Sequence, residues 1–211
     1  MLLGGRLPAL VGPGRALEGR PTPLVVDPVH HVHGRPIVPP WPEGHELAVF
    51  GMGCFWGAER ILWRLPGVWT TFVGYAGGWT PNPTYREVCS GMTDHAEVAA
   101  AVHDPSVIGY EVLLAAFWEQ HDPTTPMRQG NDVGTQYRSI ILTTSDEQAR
   151  LAEASSARYQ GALDAAGHGS ISTTIEPLRE LFLAETEHQQ YLSKHPDGYC
   201  NHGFCQVAFP S

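Results

Sequence analysis

Cys54 is the side chain in this sequence whose position best suits nucleophilic chemistry. It follows a run typical of a buried strand, Glu46–Met52, and precedes apolar residues at helical spacing up to Leu65. A cysteine at the start of a helix lies near unpaired backbone N–H groups and the positive end of the helix dipole, and both favour the thiolate. The same position also suits a buried, inert cysteine, so position alone leaves both interpretations open.

The neighbours of Cys54 add the features of a binding pocket. Gly53 and Gly57 bracket the cysteine and allow a substrate to approach closely, while Phe55 and Trp56 offer two adjacent aromatic surfaces. Adjacent aromatic residues at a helix start belong to the hydrophobic core more often than to a pocket. A site that needs a thiolate and an apolar cup for a methyl group would use this arrangement.

Six segments of the sequence, taken in order along the chain, resemble the type A peptide methionine sulfoxide reductases. A three-residue segment is weak evidence by itself, but six in one order argue strongly against chance similarity. Enzymes of this class reverse methionine oxidation, with one enzyme for each sulfoxide epimer. The Pro/Gly-rich N-terminal arm also resembles longer bacterial members. The segments are Gly53–Gly57, Gly74–Gly78, Pro83–Cys89, His95–Glu97, Gln129–Ser139 and His188–Leu192.

The resemblance implies an activity and its partners. The enzyme would reduce the S epimer of methionine sulfoxide, free or in proteins, through a Cys54 sulfenic acid and an intramolecular disulfide. Thioredoxin or another dithiol would be the reductant, and oxidised proteins and peptides would be the substrates. Such an enzyme repairs oxidised proteins and holds no bound cofactor or metal.

Three further residues acquire roles from the resemblance. A sulfoxide sulfur is a poor electrophile until its oxygen is hydrogen-bonded or protonated. Glu97 matches the family's proton donor, and Tyr85 and Tyr137 match two tyrosines that hydrogen-bond the sulfoxide oxygen. Glu97 must then be protonated near neutral pH, which burial in an apolar site promotes. Without the resemblance, Glu97 would be interpreted as a surface residue at a strand end.

The substrate-binding residues are also assigned by resemblance. Phe55 and Trp56 would form the wall that holds the methyl group. Asp132 matches a polar site residue that orients water or the substrate amide, although an ordinary Asn-Asp turn explains it equally well. His188 and Tyr191 would support the site without a sharper role.

Two cysteines near the C-terminus match the family's recycling residues. Cys200 would resolve the sulfenic acid, which condenses readily with a second thiol. Cys205 would then attack the first disulfide and pass it to thioredoxin. Four residues separate the two cysteines, fewer than in the long family members. Whether Cys205 takes part in every turnover therefore stays open. Cys89 is expected to be structural.

Composition narrows the class of protein. The formal net charge of the 211 residues is -9, so no basic face suits nucleic acid. No stretch approaches the roughly 18 apolar residues of a membrane span. The N-terminus shows no convincing secretory signal. We therefore expect a cytoplasmic protein whose four cysteines are thiols with chemical roles.

The chain is expected to form an α+β fold with a ferredoxin-like split βαβ core, a two-layer sandwich. Residues 1–44, which include His30, His31 and His33, should form an extended arm that wraps the core, with the histidines in a solvated loop. Residues 45–211 should form one catalytic domain, with a mobile tail over 195–211. Strands are predicted at 46–52, 68–75, 96–102, 139–142 and 171–175, and helices at 54–65, 110–119, 145–166 and 187–192.

Other functions use some of the same residues. Cys200, His202 and Cys205 could bind zinc with His195 or a histidine of the arm, but their spacing is not that of a usual zinc site. A thiol peroxidase or disulfide oxidoreductase would use the cysteines without needing the tyrosines or a protonated glutamate. A non-catalytic binding module would leave Cys54 inert.

Overall fold

The computed structural model describes residues 7–200 and 207–210. Eight strands and five helices lie in these ranges. In chain order they are β1 (Glu46–Met52), α1 (Phe55–Trp63), β2 (Val68–Ala76), α2 (Tyr85–Cys89), β3 (Ala96–His103), α3 (Tyr110–Glu119), β4 (Arg128–Gln129), β5 (Asp132–Val133), β6 (Ser139–Thr143), α4 (Asp146–Ala165), β7 (Thr174–Pro177), β8 (Leu181–Leu183) and α5 (Tyr191–Lys194).

Six of the strands form a mixed sheet in the order β7-β6-β1-β3-β2-β8. Neighbouring strands are antiparallel except for the parallel pair β6 and β7. Strands β4 and β5 form a separate antiparallel hairpin. The elements predicted from the first strand to the long helix are confirmed to within two residues at each end.

Several short elements differ from the sequence predictions. The predicted strand 171–175 is β7 at Thr174–Pro177, and the predicted helix 187–192 is α5 at Tyr191–Lys194. Strand β8 and helix α2 lie in segments predicted as loops. Such short elements carry too few residues for a period to show.

Helix α2 nevertheless has a local start signal. Thr84 accepts a hydrogen bond from the backbone of Glu87, and Glu87 Oε2 accepts one from the backbone of Thr84, at 3.4 and 2.7 Å. The capping box predicted for α4 is half formed. Ser145 accepts from the backbone of Gln148, but Gln148 Oε1 accepts from the backbone of Thr144 instead of Ser145.

The alternation of side chains in the sheet places Glu97 beside the helices. On β3, Ala99 and Ala101 pack in the core between the sheet and helices α1, α3 and α4, whereas Val98 and Ala100 face the other side. Glu97 is two residues before Ala99 and therefore lies on the helix side of the sheet. Cys54, which directly precedes α1, lies on that side too.

Part of the N-terminal arm packs on the opposite side of the sheet, and another part reaches the side of α1. Ile37 is 1% exposed and belongs to the apolar cluster there, while Val25 is 96% exposed. The expectation of a solvated histidine loop is wrong for His30, which is fully buried with Nε2 2.8 Å from Thr71 Oγ1. Burial and then the nearby His33 lower the pKa of His30 to about 3, so its ring is neutral.

Helix α3 offers a matched test of this packing. Leu113 is fully buried and its neighbour Val112 is 51% exposed. We expect Leu113→Ala to lower the free energy of unfolding by about 2–5 kcal/mol because it leaves a cavity. Val112→Ala should change it by no more than about 0.5 kcal/mol. Urea unfolding with an unchanged m value measures both, and equal losses would contradict the orientation of α3.

Candidate active site

Cys54 is the residue at which the chain turns from β1 into α1. It is 5% exposed and its side chain forms no capping hydrogen bond at the start of α1, where the backbone N–H donors of Trp56 and Gly57 favour the thiolate. Burial, followed by the charge of Glu97, raises the pKa of the Cys54 thiol despite these donors. Desolvation of the sulfur therefore opposes the thiolate that the helix start favours, and we expect Cys54 to rest as a thiol.

Gly53 allows the tight approach of the β4–β5 hairpin to Cys54. Its φ of +90° suits glycine, and a Cβ atom at this position would lie 2.4 Å from Cβ of Gln129. The buried Gln129 is held by two hydrogen bonds with the backbone of Asp122. The hairpin thus brings Asp132 to the same site.

Glu97 provides a neutral carboxylic acid beside Cys54. It is 1% exposed, and its Oε2 accepts a hydrogen bond of 3.1 Å from the backbone of Phe55. Burial raises the pKa of Glu97 to about 8, although the Phe55 N–H opposes this; the charge of Asp132 raises it further. Oε1 is buried and has no hydrogen-bond partner among the described residues, so it is the oxygen available to carry the proton.

Tyr85 and Tyr137 supply two phenol groups near Glu97. Burial, then the charge of Glu97, raises the pKa of each tyrosine, so both remain neutral donors. Cys89 follows Tyr85 by four residues on α2, and the two groups interact electrostatically. Cys89 is an exposed free thiol beside the site, whereas only a structural role was expected for it from the sequence.

Aromatic rings from two distant segments form one wall. The Trp56 ring stacks on Tyr191 with 4.0 Å between centroids, and Trp56 Nε1 donates to His188 Nδ1 at 3.2 Å. The His188 ring also lies 4.5 Å from Tyr85 and 5.4 Å from Phe55. His188 Nδ1 accepts a hydrogen bond here and so carries no proton, and burial lowers the pKa of His188, which favours the neutral ring.

Asp132 lies on β5, with its two carboxylate oxygens in different environments. Oδ1 accepts a hydrogen bond of 2.7 Å from the hydroxyl of Tyr199. Oδ2 is buried and has no hydrogen-bond partner among the described residues. An acceptor of this kind suits a substrate N–H group or a bound water.

Glu59 and Glu185 are buried or partly buried acids that sequence reasoning did not find. Glu59 accepts hydrogen bonds from the backbone and side chain of Gln190 and from Thr71, at 2.7–3.0 Å. Burial raises the pKa of Glu59 to about 7. A signal was present, because an acid four residues after Phe55 falls on the buried face of α1.

Glu185 joins the tyrosines to the segment before α5. Its Oε2 accepts from the hydroxyl of Tyr75, and its Oε1 accepts from the backbone of Tyr85, both at 2.8 Å. His188 Nε2 lies 3.9 Å from Oε2 of the same carboxylate. No period or motif around Glu185 marks it in the sequence, since its partners are far away along the chain.

Cys200 lies apart from Cys54 as a free thiol. Its sulfur accepts a hydrogen bond of 3.0 Å from Nη2 of Arg60, in a groove between α1 and α3. Cys205 and His202 lie outside the described residues. Within the described ranges, no three metal-ligating side chains cluster.

Comparisons with known proteins identify the family. The family model described as peptide methionine sulfoxide reductase matches residues 46–208. Peptide methionine sulfoxide reductase MsrA of Salinispora arenicola (strain CNS-205) is 59% identical over 196 residues, 92% of this chain and 89% of that protein. The chain belongs to the peptide methionine sulfoxide reductase family. It is an oxidoreductase that reduces methionine sulfoxide to methionine.

Solved structures of the family share the mixed α/β fold. Methionine sulfoxide reductase A of Corynebacterium diphtheriae has a TM-score of 0.86 and 45% identity, and the match covers 97% of this chain and 100% of that chain. Mxr1 from Saccharomyces cerevisiae in complex with Trx2 has a TM-score of 0.51 and 25% identity, with 80% and 95% covered. In residues 7–200 and 207–210, no helix has the length and apolar character needed to cross a bilayer.

The raised pKa of Glu97 gives this reductase a pH-dependent cost of folding. Since the pKa rises from 4.5 to about 8 on folding, the unfolded chain loses this proton first, and stability falls between about pH 5 and pH 8. Gln cannot ionise. We expect Glu97→Gln to gain stability over wild type by up to about 1.4 kcal/mol per pH unit in this range.

Unfolding free energies at several pH values measure that difference, in which the other titrating groups cancel. The same variant should form sulfenic acid about 10²–10⁴-fold more slowly, the usual loss for a general acid. A constant stability difference across the range would contradict a buried, neutral Glu97.

Proposed function

We propose that this reductase acts on the S epimer of methionine sulfoxide, free and in oxidised proteins, with Cys54 as nucleophile and Glu97 as proton donor. The observation that carries the proposal is the buried, neutral carboxyl of Glu97 at the first N–H of α1, directly after Cys54. A neutral carboxyl held in this way can donate a proton without placing a charged side chain in an apolar pocket.

The first step transfers oxygen from the substrate to Cys54. Glu97 donates its proton to the sulfoxide oxygen while Tyr85 and Tyr137 hydrogen-bond the same oxygen. The Cys54 sulfur attacks, its thiol proton returns to Glu97, and the products are methionine and Cys54 sulfenic acid. Two electrons pass from the cysteine sulfur to the substrate sulfur. Because Cys54 rests as a thiol, loss of its proton accompanies the protonation of the substrate.

The substrate side chain is bound by the aromatic wall. We assign the methyl group to the surface of Phe55 and Trp56, which His188 and Tyr191 hold in place. Asp132 binds the substrate backbone or a water through its unpartnered oxygen. A pocket built on one side from aromatic rings and on the other from donors distinguishes the two epimers, since exchanging methyl and oxygen would place oxygen against the rings.

The remaining steps recycle Cys54. We propose that Cys200 attacks the sulfenic sulfur, forming a Cys54–Cys200 disulfide and water, and that Cys205 transfers this disulfide outward to thioredoxin. The complex of Mxr1 with Trx2 supports a thioredoxin as reductant. Free Cys54, Cys89 and Cys200 suit the reducing cytoplasm, which we propose as the location.

We further propose that the strand order β6-β1-β3-β2, antiparallel throughout, is a ferredoxin-like split βαβ unit. Residues 45–211 then form one catalytic domain, with residues 1–44 as an arm wrapped on it. Burial of His30 and Ile37 supports the wrapped arm. Movement of a tail over 195–211 stays a prediction.

Turnover on the separated S and R epimers, with thioredoxin and thioredoxin reductase, tests the substrate assignment. We expect turnover on the S epimer only, and none by Cys54→Ser on either epimer. Comparable rates on both epimers would refute the proposed pocket. Retained turnover in Cys54→Ser would refute the nucleophile.

Single-turnover experiments test the recycling cysteines. Cys200→Ser should release about one methionine per enzyme and then stop, because sulfenic acid forms but cannot be resolved. Cys205→Ser should still accumulate the Cys54–Cys200 disulfide, which peptide mass spectrometry detects. Multiple turnovers by Cys200→Ser at the wild-type rate would remove Cys200 from this role.

A further inference from the structure

Among the described residues, Arg60 is the only side chain that hydrogen-bonds the Cys200 sulfur. Its guanidinium Nη2 donates to the Cys200 sulfur at 3.0 Å. Within the described ranges, Arg60 lies in no ion pair with a carboxylate. No carboxylate among the described residues therefore pairs with its positive charge.

The groove around this pair lies beside the helix that follows the nucleophile. It lies between α1 and α3, has a volume of about 610 Å³, and contains Gly57, Arg60, Arg64 and Cys200 in its lining. Gly57 is three residues after Cys54, in the first turn of α1. Arg60 is six residues after Cys54, about 9 Å along the helix axis.

We propose that Arg60 is a positioning residue for the resolving step. In the reduced enzyme it holds the Cys200 sulfur in the groove, one to two helical turns from Cys54, with its positive charge beside the sulfur until the sulfur leaves to attack. This inference rests on the proposed role of Cys200 as the resolving cysteine.

The step needs no reactant other than the two cysteines. Cys200 loses its thiol proton, its sulfur bonds to the sulfenic sulfur of Cys54, and the S–O bond breaks to release water. The two sulfurs must approach to about 2 Å, so Cys200 leaves Arg60 during the step. A cation at the starting position reduces the distance that the Cys200 sulfur must cover to reach Cys54, because it keeps the tail thiol beside the helix that follows the nucleophile.

The test compares three variants by rapid quenching and peptide mass spectrometry after one equivalent of sulfoxide. Arg60→Met should form the Cys54–Cys200 disulfide about tenfold more slowly, the effect of losing one charged hydrogen bond. Arg60→Lys should fall between this variant and wild type. Arg64→Met removes the other arginine of the groove, which directly follows α1, and it should match wild type. All should release methionine in the first turnover at the wild-type rate.

A second measurement separates charge from folding. Iodoacetamide should alkylate Cys200 about tenfold more slowly in Arg60→Met than in wild type, with Cys89 of the same samples as internal control. Equal disulfide rates in wild type and Arg60→Met, or equal losses in Arg60→Met and Arg64→Met, would overturn the proposal. If wild type releases methionine but forms no Cys54–Cys200 disulfide, the assignment of Cys200 fails instead.

Discussion

The burial of Glu97 at the first turn of α1 is the interaction on which the site depends. A carboxyl that is 1% exposed would be costly as an anion, so burial keeps it protonated near neutral pH. The Phe55 N–H engages one of its oxygens and leaves the other for the substrate. The same low dielectric holds Cys54 as a thiol, so the acid and the nucleophile each retain a proton until the substrate arrives.

Several elements that carry no chemistry keep this pair in place. The β4–β5 hairpin packs against Gly53 through Gln129, and Glu59 ties α1 to Gln190. Gln190 adopts a left-handed backbone with φ of 47° just before α5, which places Tyr191 against Trp56. The buried acid Glu59 thus holds the aromatic wall in place through Gln190, although its burial removes a polar group from water.

The proposed mechanism places opposite requirements on two cysteines. As the nucleophile, Cys54 must be shielded from solvent so that water does not compete with the substrate, whereas Cys200, as the resolving thiol, must remain accessible to a protein reductant. The structure has one sulfur buried directly before α1 and the other exposed, hydrogen-bonded to Arg60 of the same helix. In the proposed mechanism α1 therefore links oxygen transfer to recycling.

The local sequence was sufficient for the regular elements and for the identities of the site residues. Strands β1 to β3, helix α3 and helix α4 have periods long enough to show in the sequence, and six motifs marked Cys54, Glu97 and the tyrosines. Short elements escaped prediction: α2, at five residues, is defined by a cap more than by a period.

Only the tertiary structure decided the protonation states and the supporting contacts. A helix start by itself favours a thiolate at Cys54, but burial and the neighbouring Glu97, distant by 43 positions along the chain, reverse that preference. His30 was expected in solvent, yet it is buried because Thr71 offers its ring a partner. Desolvation and charge act through space, so they depend on which segments the fold brings together.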